Sequence, residues 1–367
     1  MFELTIDKAQ LLPCLLTVAG AVDKRQSLAI LSNILIAIEG EKIVLTATDL
    51  EIEISAFLPC GSHSSEKITV PAKKFIDIIR SLDEEVTPTI KVQDNTAVIK
   101  AGRSQFKLAT LPADQFPVSE QESIDIEHTV SKNEFMHLLQ STHFAMSQQD
   151  VRVFLNGLLL EFEGNHMTTV ATDGHRMAIC KLNCEKNLGS HRFLLPRKGV
   201  QEMLRLLSAI TDEEIVIAAG KGHFRITSSG YTFVSRLIEA RFPPYGKAIP
   251  VDNDKFVLID KDSLKRALAR IIILAHEKSK AVMLQVQPNS LTLIANNLEQ
   301  EEAMESIEAS IDGNEIKIGI NAGYLMDVLN FLPDGLVRLS MSTTDRSILV
   351  ESLADENYQY IIMPMKI

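Results

Sequence analysis

The segment TVATDGHR, residues 169–176, sets Asp173 two residues from His175. A carboxylate beside an imidazole could orient a general base, provided a Ser, Thr or Cys nucleophile lies within hydrogen-bond reach. Hydroxyl side chains are plentiful, and there are four cysteines, Cys14, Cys60, Cys180 and Cys184. Against catalysis, the element recurs as ATDLEI at 47–52 and ANNLEQ at 295–300. In the first copy no His follows, and in the third the Asp is Asn297. The Asp therefore reads as a repeated turn residue. No HExxH, His-x-His or CxxC spacing suggests a metal. Cys180 and Cys184 stand four apart, but MAICKLNC alternates like a strand, so they read as core or surface thiols. Ala219-Gly-Lys-Gly222 lacks the spacing and the Ser/Thr of a phosphate loop and reads as a hairpin turn. No catalytic residue, metal or cofactor is expected.

The elements that carry these residues repeat. ITVPAKKFIDIIRSL at 68–82, FLLPRKGVQEMLRLL at 193–207 and IGINAGYLMDVLNFL at 318–332 each pass from an apolar run through Pro or Asn into an amphipathic helix. Their anchors Pro71, Pro196 and Asn321 are 125 apart. Thr48, Thr172 and Asn296 mark a second set, 124 apart, each after a strand pair with a turn. A third set is helical, starting at the N-cap candidates Asp7, Ser131 and Asp260. Such a period is too long for a solenoid unit and fits a domain. The reading is α+β: three tandem copies of one domain, at 1–122, 123–251 and 252–367, each with two helices and about eight short, mostly antiparallel strands. Expected helices are 7–19, 72–82, 131–147, 197–207, 261–274 and 322–332.

The 367 residues are 46% hydrophobic and 23% charged, enough for more than one core and against general disorder. The stretch Ala9–Val22 is too short and mixed to span a bilayer, and Met1–Asp7 has no basic region of a secretory signal. A cytoplasmic protein with reduced thiols is expected. Net charge is −11, which taken whole opposes non-specific nucleic-acid binding and favours a pure protein scaffold. The expected helices nevertheless carry twelve Lys and Arg against six Asp and Glu. Helices gathered on one surface would attract a polyanion through phosphates without reading sequence. The ends also differ: Lys74, Lys100, Arg103 and Lys107 with Phe106 lie in the first copy. Glu299, Glu301, Glu302 and Glu305, with the apolar run Ile271–Leu274, lie in the third. Such ends could meet head to tail, and a ring forms if the rotation closes.

The chain resembles the bacterial DNA polymerase III beta subunit family from end to end. The resemblance rests on LSNIL (31–35), LTATDLEIE (45–53), TVPAKKF (69–75), LPADQFP (111–117), QDVRVFLNG (149–157), TVATDGHRMA (169–178), LPRKGV (195–200), RFPPY (241–245), ANNLEQEEAME (295–305) and MPMKI (363–367). It implies a homodimeric ring of six like domains, helices lining the pore and sheets outside, that encircles duplex DNA. A separate ATP-driven clamp loader would open the ring. The DNA polymerase III alpha subunit, other polymerases and repair proteins would dock on it through short peptides, with no membrane partner.

On this resemblance DNA contacts fall to Arg25, Gln148 and Gln149, with the helical bases Lys73, Arg197, Lys198, Arg205, Lys265 and Arg266 facing phosphates. A peptide pocket would use Leu155, Thr172, Gly174, His175, Arg176, Met177, Pro243, Ala248, Asn321, Tyr324, Met363, Pro364 and Met365. Its chemistry is sensible in itself, since a Met-rich, Pro-bounded groove adapts to several ligands. Arg176 and His175 are expected to hydrogen-bond the peptide. The dimer seam would use Lys74, Arg103, Phe106, Lys107, Ile273, Leu274, Glu299, Glu301, Glu302 and Glu305. The chain departs from the family pattern at Met177, Ala248 and Lys366, where Leu, Val and Arg are expected, and at Gln105, where a base is common.

Overall fold

The computed structural model describes residues 2–23, 28–60, 65–93, 95–119 and 123–366. The first repeat runs β1 (Glu3–Thr5), α1 (Lys8–Val18), β2 (Asn33–Glu39), β3 (Lys42–Thr48), β4 (Ile52–Pro59), β5 (Ser65–Pro71), α2 (Ala72–Ser81), β6 (Thr89–Gln93), β7 (Thr96–Ala101) and β8 (Ser104–Ala109). The second runs β9 (Ile126–Ser131), α3 (Lys132–Gln140), β10 (Gly157–Glu163), β11 (His166–Thr172), β12 (Arg176–Asn183), β13 (Ser190–Pro196), α4 (Arg197–Ala209), β14 (Glu214–Ala219), β15 (His223–Thr227) and β16 (Tyr231–Arg236). The third runs β17 (Lys255–Asp260), α5 (Lys261–Ile271), β18 (Ala281–Gln287), β19 (Ser290–Asn296), β20 (Glu302–Glu308), β21 (Ser310–Asp312), β22 (Ile316–Asn321), α6 (Ala322–Phe331), β23 (Leu336–Met341), β24 (Ile348–Ser352) and β25 (Tyr358–Ile362).

Each repeat contributes two antiparallel sheets of one order, β5-β2-β3-β4 and β1-β6-β7-β8 in the first, with β21 added beside β17 as a fifth strand in the third, and the short connections favour antiparallel pairing. Sheets fuse across repeats: β4 pairs with β16, and β12 with β25. The chain accordingly divides by contacts into two compact units, Met1–Phe135 with Lys198–Leu237 and Met136–Arg197 with Ile238–Ile367. Each fused sheet lies within one unit. Among the described residues the sheet edges are β1 and β8, β5 and β9, β13 and β21, and β20 and β22; β8 and β20 hold the repeat positions that β16, β25, β4 and β12 use to pair across repeats.

The helices present apolar faces to these sheets at helical spacing. In α2 the buried set is Ala72, Phe75, Ile76 and Ile79, and in α5 it is Leu264, Ala267, Leu268 and Ile271. Each fully buried large side chain contributes about 1.5–3 kcal/mol. Asp260 caps α5 through Ser263 N–H at 2.9 Å, whereas Asp7 makes no side-chain cap and instead accepts from the Thr87 hydroxyl. The helix expected over 131–147 is shorter. It stops at Gln140, where the hydroxyls of Ser141 and Thr142 donate back to His137 O and Leu138 O and compete with the backbone ladder. The tail of the expected 261–274 helix is a 3-10 turn, Ile272–Leu274.

A lysine opens three of the helices and ties each repeat together. Lys8 Nζ donates to Leu82 O, Lys132 Nζ to Ile210 O at 2.8 Å, and Lys261 Nζ to Leu332 O at 3.1 Å. In each case an ammonium satisfies an orphan carbonyl beyond the second helix. These three bases are structural and are taken out of the positive surface expected from the sequence.

Candidate functional site

The turn between β11 and β12 is an Asx turn. Asp173 Oδ1 accepts from His175 N–H (2.9 Å) and Arg176 N–H (3.0 Å). Asp49 does the same for Glu51 and Ile52, and Asn297 for Glu299 and Glu301. Thr172 Oγ1 accepts from Gly174 N–H and donates to Arg176 O at 2.6 Å. Asp173 Oδ2 is taken by Arg176 Nε at 3.1 Å. The carboxylate is thus spent on the turn, as its repetition implied. Gly174 sits at φ +88°, and the Arg152 guanidinium lies 3.1 Å from where a Cβ would stand. Arg152, held by a forked contact to Asp150, therefore covers this rim. It was missed in the sequence, although QDVRVFLNG carried it.

Arg176 is held from several sides. Its Nη1 donates to Asp327 Oδ2 at 2.6 Å and its Nη2 to Phe144 O at 2.7 Å, and its Cζ lies 4.4 Å from the Tyr324 ring centre. With the side chain 12% exposed, the guanidinium is largely engaged within the fold. It is the floor that positions Tyr324. His175 is exposed, and its carbonyl accepts from Met363 N–H at 2.9 Å.

The same ladder brings the chain end to this turn, because Arg176 pairs with Ile362 and Met177 with Ile361. β25 ends at Ile362, so Met363 emerges exposed, and Met365 N–H bonds Gly319 O at 2.7 Å. Asn321 spends its side-chain oxygen capping α6 at Gly323 and Tyr324 N–H, which fixes Tyr324. Met177 is buried with Phe242, Leu349 and Ile361, and Phe154, Tyr245 and Ile249 pack against that cluster. Leu155, 2% exposed, is also floor, while Pro243 and Ala248 are exposed on the segment running over the cluster. Of the thirteen expected pocket residues, these contacts link Thr172, Gly174, His175, Arg176, Met177, Tyr324 and Met363 around the β12–β25 pair. Beside them a cavity of about 670 Å³ is lined by residues 247–254 and 342–347. Of the thirteen it includes Ala248 alone, and its Ser342–Ser347 wall carried no sequence signal.

The expected DNA-facing residues are placed unequally. Arg25 lies outside the described residues. Lys73, Gln148, Gln149 and Arg266 are exposed, and Lys265 is half-buried. Arg197 donates to Met146 O, Lys198 pairs with Asp49, and Arg205 donates to Leu16 O and Thr17 O at the end of α1. Arg205 thereby staples α1 to α4, its guanidinium filling the space a Cβ on Gly20 would need.

At the expected seam, Phe106 and Lys107 lie on edge strand β8, while Glu302 and Glu305 lie on edge strand β20. Lys74, Arg103, Glu299 and Glu301 are exposed, Ile273 is 76% exposed and Leu274 is half-buried. Met304, 63% exposed on β20, joins them and was missed. Glu305 is already paired with Arg270 of its own chain.

Three fused copies of a two-helix, two-sheet unit, with the Asx turn of the central repeat bonded to Met363, define a tandem-repeat α+β protein. Sequence profiles of the DNA polymerase III beta subunit match in order: the N-terminal domain at 2–120, the central domain at 129–244 and the C-terminal domain at 246–366. The beta sliding clamp of Pseudomonas aeruginosa is 40% identical over 366 residues, 99% of each chain. A crystal structure of the P. aeruginosa sliding clamp bound to griselimycin superposes with a TM-score of 0.95 at 39% identity, covering 100% of this chain and 99% of that one. The Caulobacter crescentus clamp gives 0.96 at 33% identity, with 100% and 99% covered. The chain belongs to the DNA polymerase III beta subunit family, the beta sliding clamps.

Proposed function

We propose that the chain is a non-catalytic DNA sliding clamp: a ring that encircles duplex DNA without reading sequence and tethers the replicative polymerase and other proteins through the groove at β12–β25. Three domains, 1–122, 123–251 and 252–367, form half of the ring, and a second copy completes it. The clamp acts in the cytoplasm with no cofactor of its own, and an ATP-driven loader opens it, since a closed ring cannot thread circular DNA.

The observation that carries the ring is the equivalence of the repeat junctions. Within the repeats, Phe106, Phe233 and Tyr360 occupy one ladder position, as do Ala47, Ala171 and Ala295. Phe233 faces Ile54 at one junction and Tyr360 faces Ala178 at the other. Continuing that register, Ala303 on β20 meets Phe106 of a second copy, and Glu302 meets its Lys107. The edge strands, the exposed Ile273 and the opposite charges support this seam. Exposed Lys73 and Arg266, with half-buried Lys265, support loose phosphate contacts, which salt screens and which permit sliding.

The test is retention on DNA of defined topology. The protein is loaded on nicked circular plasmid with a bacterial clamp loader and ATP, washed at high salt, and the circle is then cut. Retention on the circle with loss from the linear form is the expected result. Equal retention on both forms would refute encirclement.

A further inference from the structure

We propose that Glu161 is a positioning residue of the peptide groove: through Tyr245 it fixes the segment that presents Pro243 and Ala248. The inference rests on the groove assignment made above. Residues 237–254 form a long connection between β16 and β17, with prolines at 243, 244 and 250 that cannot donate. The backbone bonds given within it, Lys247 N–H to Pro244 O and Ile249 N–H to Gly246 O, are local. Among the described residues, the connection is tied near its ends by Ile238 N–H to Leu194 O at 2.9 Å and Asp254 N–H to Met341 O at 3.1 Å, and between them the Tyr245 hydroxyl donates to Glu161 Oε2 at 2.6 Å.

Glu161 is built for this task. It sits on β10, inside the central repeat, and is 6% exposed. Its other oxygen accepts from Arg192 Nε at 2.5 Å, so the buried charge is neutralised and its direction fixed. Burial and the adjoining carboxylate push the Tyr245 phenol well up, which keeps its donating proton in place. A cavity of about 190 Å³ opens beside the pair, lined by Glu163, His166, Lys181 and Glu356 among others. Packing on the Met177 cluster holds one part of the ring, and the hydrogen bond holds the hydroxyl end beside this cavity. Tyr245 lies between Pro243 and Ala248, so a displaced ring moves both groove walls relative to Met177 below.

The experiment measures griselimycin affinity by calorimetry on the full-length protein, alongside melting temperature and dimer mass. Tyr245→Phe keeps the ring and deletes the donor. Glu161→Leu deletes the acceptor, and Glu161→Gln keeps an acceptor carbonyl. Tyr245→Phe and Glu161→Leu should each weaken binding roughly tenfold, the double variant no further, and Glu161→Gln should stay near wild type. Melting temperature for Tyr245→Phe and dimer mass throughout should hold. If deletion of Met363–Ile367 abolishes binding while Tyr245→Phe and Glu161→Leu bind as wild type, the positioning role is wrong and the groove stands. If that deletion leaves binding intact, the groove itself is wrong.

Discussion

The guanidinium of Arg176 lies over the ring of Tyr324, 4.4 Å from its centre, while donating at once to Asp173, Asp327 and the carbonyl of Phe144. One side chain thus joins the Asx turn of the central repeat to the first turns of α6. Removing it leaves Asp173 and a buried carbonyl without their cation. Arg176→Ala should destabilise the protein by about 3–5 kcal/mol in a denaturant titration. Arg176→Lys should restore only part of this, because an ammonium cannot fork to three acceptors. A loss under ~1 kcal/mol would show that the network is ornamental.

The seam register makes a charge-swap prediction. Lys107→Glu should set two carboxylates opposite each other and raise the dimer dissociation constant roughly tenfold, read by mass at nanomolar concentrations. Adding Glu302→Lys should recover most of the loss. No recovery would mean that β8 and β20 pair in another register.

Lysines with different duties should separate by assay. Lys261 bonds Leu332 O and pairs with Asp334. Lys261→Ala should therefore cost about 1–3 kcal/mol of stability and leave DNA retention unchanged. Lys265→Ala with Arg266→Ala should do the reverse, lowering affinity for duplex DNA at low salt and flattening its salt dependence by about two phosphate contacts.

Alkaline pH should loosen the fold. Burial pushes the Cys180 thiol up to about 12, and burial raises Tyr231 and Tyr358 to about 12 as well. The unfolded chain releases these protons first, near the ordinary thiol and phenol values, so between about pH 9 and 12 the native state binds more protons. Stability is then fully present below pH 9 and falls as pH rises. Urea midpoints at pH 8 and 10.5 check this, and Cys180→Ala should shrink the difference. The same burial predicts that Cys180 resists alkylation at pH 8 until the protein unfolds.

Local regularities were legible. The Thr48, Thr172 and Asn296 landmarks gave the triplicate turn, and the strand alternation of MAICKLNC placed Cys180 correctly on β12. Long-range contacts were not. Arg176 finds Asp327 at a separation of 151 residues, and Glu161 finds Tyr245 at 84. Nothing in composition or spacing marks either pair, since each exists only once sheets have stacked. Lys8, Lys132 and Lys261 were misjudged for a related reason. A lysine on a helix looks solvated in one dimension, and only the adjacent helix end reveals a waiting carbonyl. The α3 boundary failed locally, where the Ser141 and Thr142 hydroxyls outcompeted a helical apolar pattern.

The β8 and β20 edges also bear on how this chain avoids clumping. Unpaired strands invite any other strand, including their own kind. Two β20 strands brought together would oppose Glu302, Glu305 and Glu308 with the same acids, and two β8 strands would crowd Lys107 and the neighbouring Arg103 and Lys100. Self-pairing of either strand is therefore repelled, whereas β8 and β20 attract each other. Like-edge mispairing and amyloid-type stacking are thus disfavoured while a chain is alone, which lets a lone chain survive newly made or stripped from its partner.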